Sequence, residues 1–475
     1  MLFPTATFAI FFMIVLPLSW LLMPSVHRWR PFIIAASFVF YSWWDWRFVL
    51  LLAGSILWNQ LLAVRIHRAA GQPSLSRSLL ILAVGGNLAI LGYFKYYDFF
   101  VSSTQNLLTL VGIDLPLEVR TLVLPVGISF YTFMGISYVV DTYRGDTVPT
   151  TLEKFAVYLS FFPHLVAGPI VRPNELIPQF DSPRSARRVD TSRAFYLIAA
   201  GLFKKVVISS YLASNIVDEV FANPSQHSSL EILIAIYAYA VQIYADFSGY
   251  TDIAIGIALL LGFEFPQNFD SPYAAVSLQD FWRRWHMTLS RWLRDYFYIP
   301  LGGSRRGAAI TYRNLMLTML IGGLWHGAGW TFVVWGGIHG VGLCIERWRR
   351  TRPGASTEEL SVGVAGLAWR RLLTFHVVCF AWIFFRADTF GVAWEMITGL
   401  FTGWGEPSPL VTGGVLLAIA VGIGSQYLPA RVPRVVLATF SRLNVVAQAA
   451  VLALSLMVTQ ALGPQDVAPF IYFQF

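Results

Sequence analysis

The feature that most constrains this chain is the recurrence of apolar runs close to the length of a bilayer crossing. Ala6–Met23, Leu79–Phe94, Ile232–Ala245 and Val411–Leu428 are four of them. A membrane's hydrocarbon core takes about 20 apolar residues per helix, and in lipid each backbone N–H and C=O must find its partner within the segment, so such runs dictate helices. Composition agrees: 56% of the 475 residues are hydrophobic and 13% are charged, where a soluble domain carries about 25%. With a mean hydropathy of +0.59, the chain reads as an all-α, polytopic membrane protein. About 20 residues per span gives roughly ten to twelve membrane-embedded helices, in one membrane domain over 1–475.

The formal charge of +8 does not point to nucleic acid. The basic residues cluster beside apolar runs, at His27–Arg30, Arg65–Arg77, Arg184–Arg193, Ser304–Arg313 and Arg347–Arg371, as the positive-inside rule expects of cytoplasmic turns. The first run lacks a basic leader and a small-residue cleavage site, so it is expected to be a retained helix rather than a secretion signal. Trp43, Trp44 and Trp46 sit midway between two basic clusters, where an outward hairpin would reach the far interface. Cys344 and Cys379 have neither disulfide nor metal-type spacing.

Two segments resist a simple crossing. Tyr158–Phe180 is apolar but broken by Pro163, Gly168, Pro169 and Pro173, and Ser271–Gly307 is too charged for lipid. Non-helical backbone survives at membrane depth only inside protein or along a wet cavity, so both are expected to be re-entrant or cavity-forming. Within the second, a helical wheel puts Trp285, Leu289 and Trp292 beside Trp282. Arg283, Arg284, Arg291 and Arg294 fall opposite, and His286 lies on the border. This predicts one amphipathic helix, closed by Pro300 and Gly302–Gly303. Its cationic face suits either anionic lipid headgroups or a phosphate-bearing ligand such as coenzyme A.

His326 and His339 lie in a stretch otherwise free of charge from Leu315 to Cys344. An ionisable group inside a membrane segment is a functional candidate by default. Acid/base chemistry suits an imidazole, which titrates near pH ~6.5; a buried neutral histidine joining two helices is the competing account of His326, and His339 reads as structural. No HExxH pattern or paired carboxylate accompanies them, so no metal site is expected. Asp246, Ser248, Tyr250 and Asp252 read chiefly as helix-packing groups, and Lys95, Asp141, Arg144, Lys204 and Lys205 as interfacial.

The motifs "FWRRWHMTLSRWLRDYFYIPLGG", "GGLWHGAGWTFVVWGGIHG", "LPVGISFYTF", "FFPHLVAGPIVRP" and "YADFSGYTDIAIG", with the terminal "PFIYFQF", together resemble the membrane-bound O-acyltransferase family, closest to its bacterial alginate O-acetyltransferase branch. The resemblance runs through essentially the whole chain. It implies a ring of tilted helices around a thin centre, with a tunnel from a cytoplasmic acyl donor to an acceptor on the other side. It makes His326 of "LWHG" the general base and His286 of "RRWH" the residue that orients the acceptor or acyl carbonyl and stabilises developing charge. Acetyl-CoA is the implied donor, with Arg283, Arg284, Arg291 and Arg294 as candidates for its phosphates. The implied setting is the bacterial inner membrane, where a periplasmic acetyl-transferring partner would serve the synthesis and secretion complex of an exopolysaccharide such as alginate or cellulose. A polysaccharide-export or ion-conducting component is the alternative.

Overall fold

A computed structural model describes residues 1–115, 118, 122–352, 363–464 and 470–471, which are helical with no strand among them. Residues 353–362, within the basic stretch Arg347–Arg371, and most of "PFIYFQF" lie outside the described residues. In chain order the main helices are α1 Ala6–Leu22, α2 Val26–Ser42, α3 Arg47–Arg68, α4 Pro73–Leu110, α5 Ile128–Arg144 and α6 Leu152–Ser160. They continue with α7 Thr191–Ala222, α8 Ser229–Leu260, α9 Leu278–Arg284, α10 Met287–Leu293, α11 Ala308–His326 and α12 Trp330–Thr351. The last are α13 Val364–Arg386, α14 Phe390–Thr402, α15 Gly413–Gly424, α16 Arg431–Arg442 and α17 Val445–Leu462. Among the described residues α3, α4, α7, α8, α13 and α17 are long and apolar enough to cross a membrane, and a seventh span forms if the pair α15–α16, bent by 93°, is counted as one. The remaining described helices are shorter or more polar and do not pass this test of length and composition.

The chain divides into two compact units, residues 1–191 with 254–266 and residues 192–253 with 267–475. In the first, α3, α4 and α5 meet where Asn59 and Asn87 exchange amide hydrogen bonds of 2.8 and 3.2 Å. Gly135 of α5 lies against Asn59, leaving no room for a side chain. Such reciprocal amides satisfy both partners away from water. Trp43, Trp44 and Trp46 are exposed in the turn between α2 and α3. The proline-broken segment 158–180 folds as short helical pieces and turns, mostly buried in this unit. Arg30, expected at an interface, is buried and donates to the Phe180 carbonyl at 2.8 Å and to Glu153. Asp141 is also buried.

In the second unit α7 and α8 cross at Gly201 and Gly249, whose backbones touch as small residues permit. A wide helical turn over Phe203–Ser209 aims two lysines at α8. Lys204 bonds Ser248 at 3.1 Å and Asp252 at 2.5 Å, and Lys205, buried, pairs with Asp246. Lys205 is therefore not interfacial: a carboxylate across the helix pair holds its charge inside.

Candidate active site

The predicted single amphipathic helix, running from Phe281 to its stop at Pro300, is broken. It consists of α9, α10 and a wide turn over Arg294–Tyr298 closed by the Ile299 N–H on the Arg294 carbonyl at 2.8 Å. The break falls at His286, whose φ of 40° and ψ of 55° are left-handed, a region non-glycine residues rarely occupy. What holds it there is the loop before α9. The Asn268 carbonyl accepts the Met287 N–H at 2.9 Å, and the Asp270 N–H donates to the Arg284 carbonyl at 2.9 Å. These two bonds clasp the loop across the break. α9 itself is started by Ser277, which accepts from the Asp280 N–H, and by Glu346 of α12, whose carboxylate accepts the Leu278 and Gln279 N–H groups at 2.5 and 3.1 Å.

The Asn268 side chain determines the protonation of His286. Its Oδ1 accepts the Thr288 N–H at 3.2 Å and the Thr288 hydroxyl at 2.9 Å. A backbone N–H can only donate, so the amide oxygen faces this side. His286 Nδ1 is 3.1 Å from the same oxygen and must therefore carry the proton, leaving Nε2 a bare acceptor. Nε2 is buried and has no hydrogen-bond partner among the described residues. His286 is fully buried, and loss of hydration pushes its imidazole down to about 3, so it is neutral near pH 7.

His326 ends α11 and is buried. Its ring stands edge-on to Trp325, Trp335 and Phe385 with centroids 4.9–5.3 Å away, and lies 6.5 Å from the His286 ring. Gly323 and Gly336 let α11 and α12 touch backbone to backbone here, since a methyl on Gly323 would meet the Phe332 carbonyl and one on Gly336 the Met319 carbonyl. His339, one turn beyond Gly336, accepts from Trp282 Nε1 at 3.3 Å and stacks on Phe281, a packing role.

His326 lines a cavity of about 450 Å³ whose other walls include Arg283, Arg291, Arg294, Arg347 and Arg350. Three of the four arginines singled out in sequence thus face the same space as His326. Arg284 does not line it; it pairs with Asp280 at 2.9 Å on the next turn of α9. The break at His286 gives α9 and α10 separate axes, so one continuous wheel does not describe both. Sequence reasoning missed Asn268, Thr288, Arg347 and Arg350. The last two had a legible signal: His339, Leu343, Arg347 and Arg350 share helical spacing. Asn268 had none, because its role comes from a loop that meets α10 only in the fold. Among the described residues no cluster of three or more His, Cys, Asp or Glu side chains could hold a metal.

Residues 152–353, which contain both histidines, match the model of the MBOAT, membrane-bound O-acyltransferase family. The chain is 39% identical over 480 residues to the "Probable alginate O-acetylase AlgI" of Pseudomonas putida, covering 95% of this chain and 96% of that one. It is 38% identical to the "Peptidoglycan O-acetyltransferase" of Helicobacter pylori, over 78% of this chain and 73% of the other. A "Teichoic acid D-alanyltransferase" of Streptococcus thermophilus is 28% identical, over 54% of this chain and 67% of that protein.

Proposed function

Since this chain belongs to the membrane-bound O-acyltransferase family, we propose that it takes acetyl from acetyl-CoA at the cytoplasmic face of a bacterial inner membrane and passes it outward for O-acetylation of a secreted polysaccharide. Alginate is the leading substrate, from the P. putida relative's name and identity, and cellulose or peptidoglycan are narrower alternatives. A periplasmic partner would receive the acetyl group or place it on the polymer.

The observation that carries this reading is one cavity with an imidazole on its wall and guanidiniums around it. Guanidinium forks match phosphate oxygens, so Arg283, Arg291, Arg294, Arg347 and Arg350 would hold the donor's phosphates while its thioester lies toward His326. An acceptor hydroxyl gives its proton to His326 as its oxygen bonds to the acetyl carbon. The carbon–sulfur bond then breaks, and His326 returns the proton to the departing thiolate. His286 Nε2, a bare acceptor, would take a hydrogen bond from a second hydroxyl of the acceptor and so aim the reacting one at the acetyl carbon. Of the roles weighed for His286, orienting the acceptor is the one a tautomer protonated on Nδ1 serves.

The test is transfer of radiolabelled acetyl from acetyl-CoA by the purified protein in detergent, with its polysaccharide-modifying partner added. His326→Ala should abolish transfer with the fold retained; equal activity in wild type and variant sinks the catalytic assignment. In the same assay Arg283→Ala should raise the donor KM with kcat little changed, whereas Arg284→Ala should leave the donor KM near wild type.

A further inference from the structure

Behind His286 lies a clasp that the reaction as described does not use. Phe470 and Ile471 follow α17 and are both buried, although α17 itself is almost entirely exposed. The Ile471 N–H donates to Asp246 Oδ2 at 2.8 Å, and the other oxygen of Asp246 pairs with buried Lys205. The Phe470 ring lies 4.6 Å from Tyr250 and 5.8 Å from Phe247. Phe247 in turn stands perpendicular to His286 at 4.7 Å and packs on Phe269 at 5.1 Å. Phe269 is the neighbour of Asn268, which fixes the His286 tautomer. A continuous run of contacts thus leads from residues 470–471 to the imidazole.

A buried ion pair is a poor way to gain stability, because desolvation offsets the attraction. Here it holds one carboxylate oxygen where a single backbone N–H, from a segment outside the regular helices, can reach it. We infer that Phe470 and Asp246 are positioning residues for the acyl-transfer site: docked on Asp246, Phe470 braces Phe247 as the rigid wall against which His286 stands. The inference rests on the proposed acyl-transfer reading, and neither residue touches the arginine-walled cavity. Their loss should therefore slow the chemical step without weakening donor binding.

The experiment measures kcat and donor KM for acetyl transfer by full-length Phe470→Ala, Phe470→Leu and the double variant Lys205→Met/Asp246→Leu, which removes both charges together with the acceptor of the Ile471 N–H. His286→Ala is run beside them. Phe470→Ala should lower kcat about tenfold, since small misplacements of a reacting group carry losses up to about a hundredfold, while donor KM stays within about twofold. Phe470→Leu should recover most of the rate, and the double variant should behave like Phe470→Ala. Wild-type kcat in Phe470→Ala with an inactive His286→Ala overturns the positioning role alone, as does a loss expressed mainly in donor KM. If Phe470→Ala does not fold, an unimpaired wild-type kcat in the double variant overturns it. Full activity in His286→Ala overturns the reading of the site itself, and this inference with it.

Discussion

The left-handed conformation of His286 costs about 1–2 kcal/mol for a residue with a Cβ, and the surrounding hydrogen bonds offset that cost. It turns the imidazole inward at the one point where α9 stops and α10 has not begun. Asn268 secures both the conformation and the tautomer, so its replacement should show in the chemistry. Asn268→Ala removes the acceptor facing His286 Nδ1, frees the ring to change tautomer, and should lower kcat by about ten- to a hundredfold. Asn268→Asp keeps an oxygen at that place and should lose much less. Steady-state kinetics of the two variants checks this; equal losses in both would remove the tautomer argument. Burial of His286 has a thermodynamic side as well. Its folded imidazole titrates at about 3 rather than 6.5, so the unfolded chain binds the extra proton first, and this contribution to stability shrinks as pH falls between those values.

At the scale of elements, α11 and α12 are held in register by glycines facing carbonyls, and this seats His326. Gly336→Ala would push a methyl into the Met319 carbonyl, and rigid backbone on both sides leaves little room to yield. Overpacking of this kind costs about 1–3 kcal/mol. The variant should melt several degrees below wild type and lose transfer activity, whereas Gly337→Ala, which would only touch the Leu320 side chain at ordinary contact distance, should do neither. Thermal melts in detergent with parallel activity measurements separate the two. The same helix carries Arg347 and Arg350 to the cavity and Glu346 to the start of α9, so α12 links the cavity's charge to the placement of α9. Arg350 also bonds Gln279 at 2.5 Å.

Across the whole molecule, the apolar helices and the basic clusters beside them define a topology that can be probed from either face of the membrane. Arg305 lies in the exposed turn region next to Ser304, a residue of the cavity wall. In a background with Cys344 and Cys379 replaced by Ala, Arg305→Cys should react with a membrane-impermeant maleimide from the face at which acetyl-CoA supports transfer. Reaction only from the opposite face would reverse the proposed direction of acetyl movement. α16 stands at 93° to α15 and carries Arg431, Arg434 and Arg442, the composition of a helix lying along an interface rather than crossing it.

Membrane residence, the helical class and the family were legible in the sequence, because each is written in local quantities: the length of apolar runs, the scarcity of charge, and short motifs around His286 and His326. The histidines stood out for the same reason, as ionisable groups in apolar surroundings. The tertiary structure decided what no local pattern contains. The break at His286 arises because a loop some eighteen residues upstream supplies better hydrogen-bond partners than a continued helix would, and α9 and α10 therefore turn their faces independently. Lys205 looked interfacial until its carboxylate partner on α8 came into contact, and Asn268 gave no signal before the fold brought it to the imidazole. Helical periodicity specifies which residues share a face; only packing specifies where that periodicity is interrupted and which partner waits across the gap.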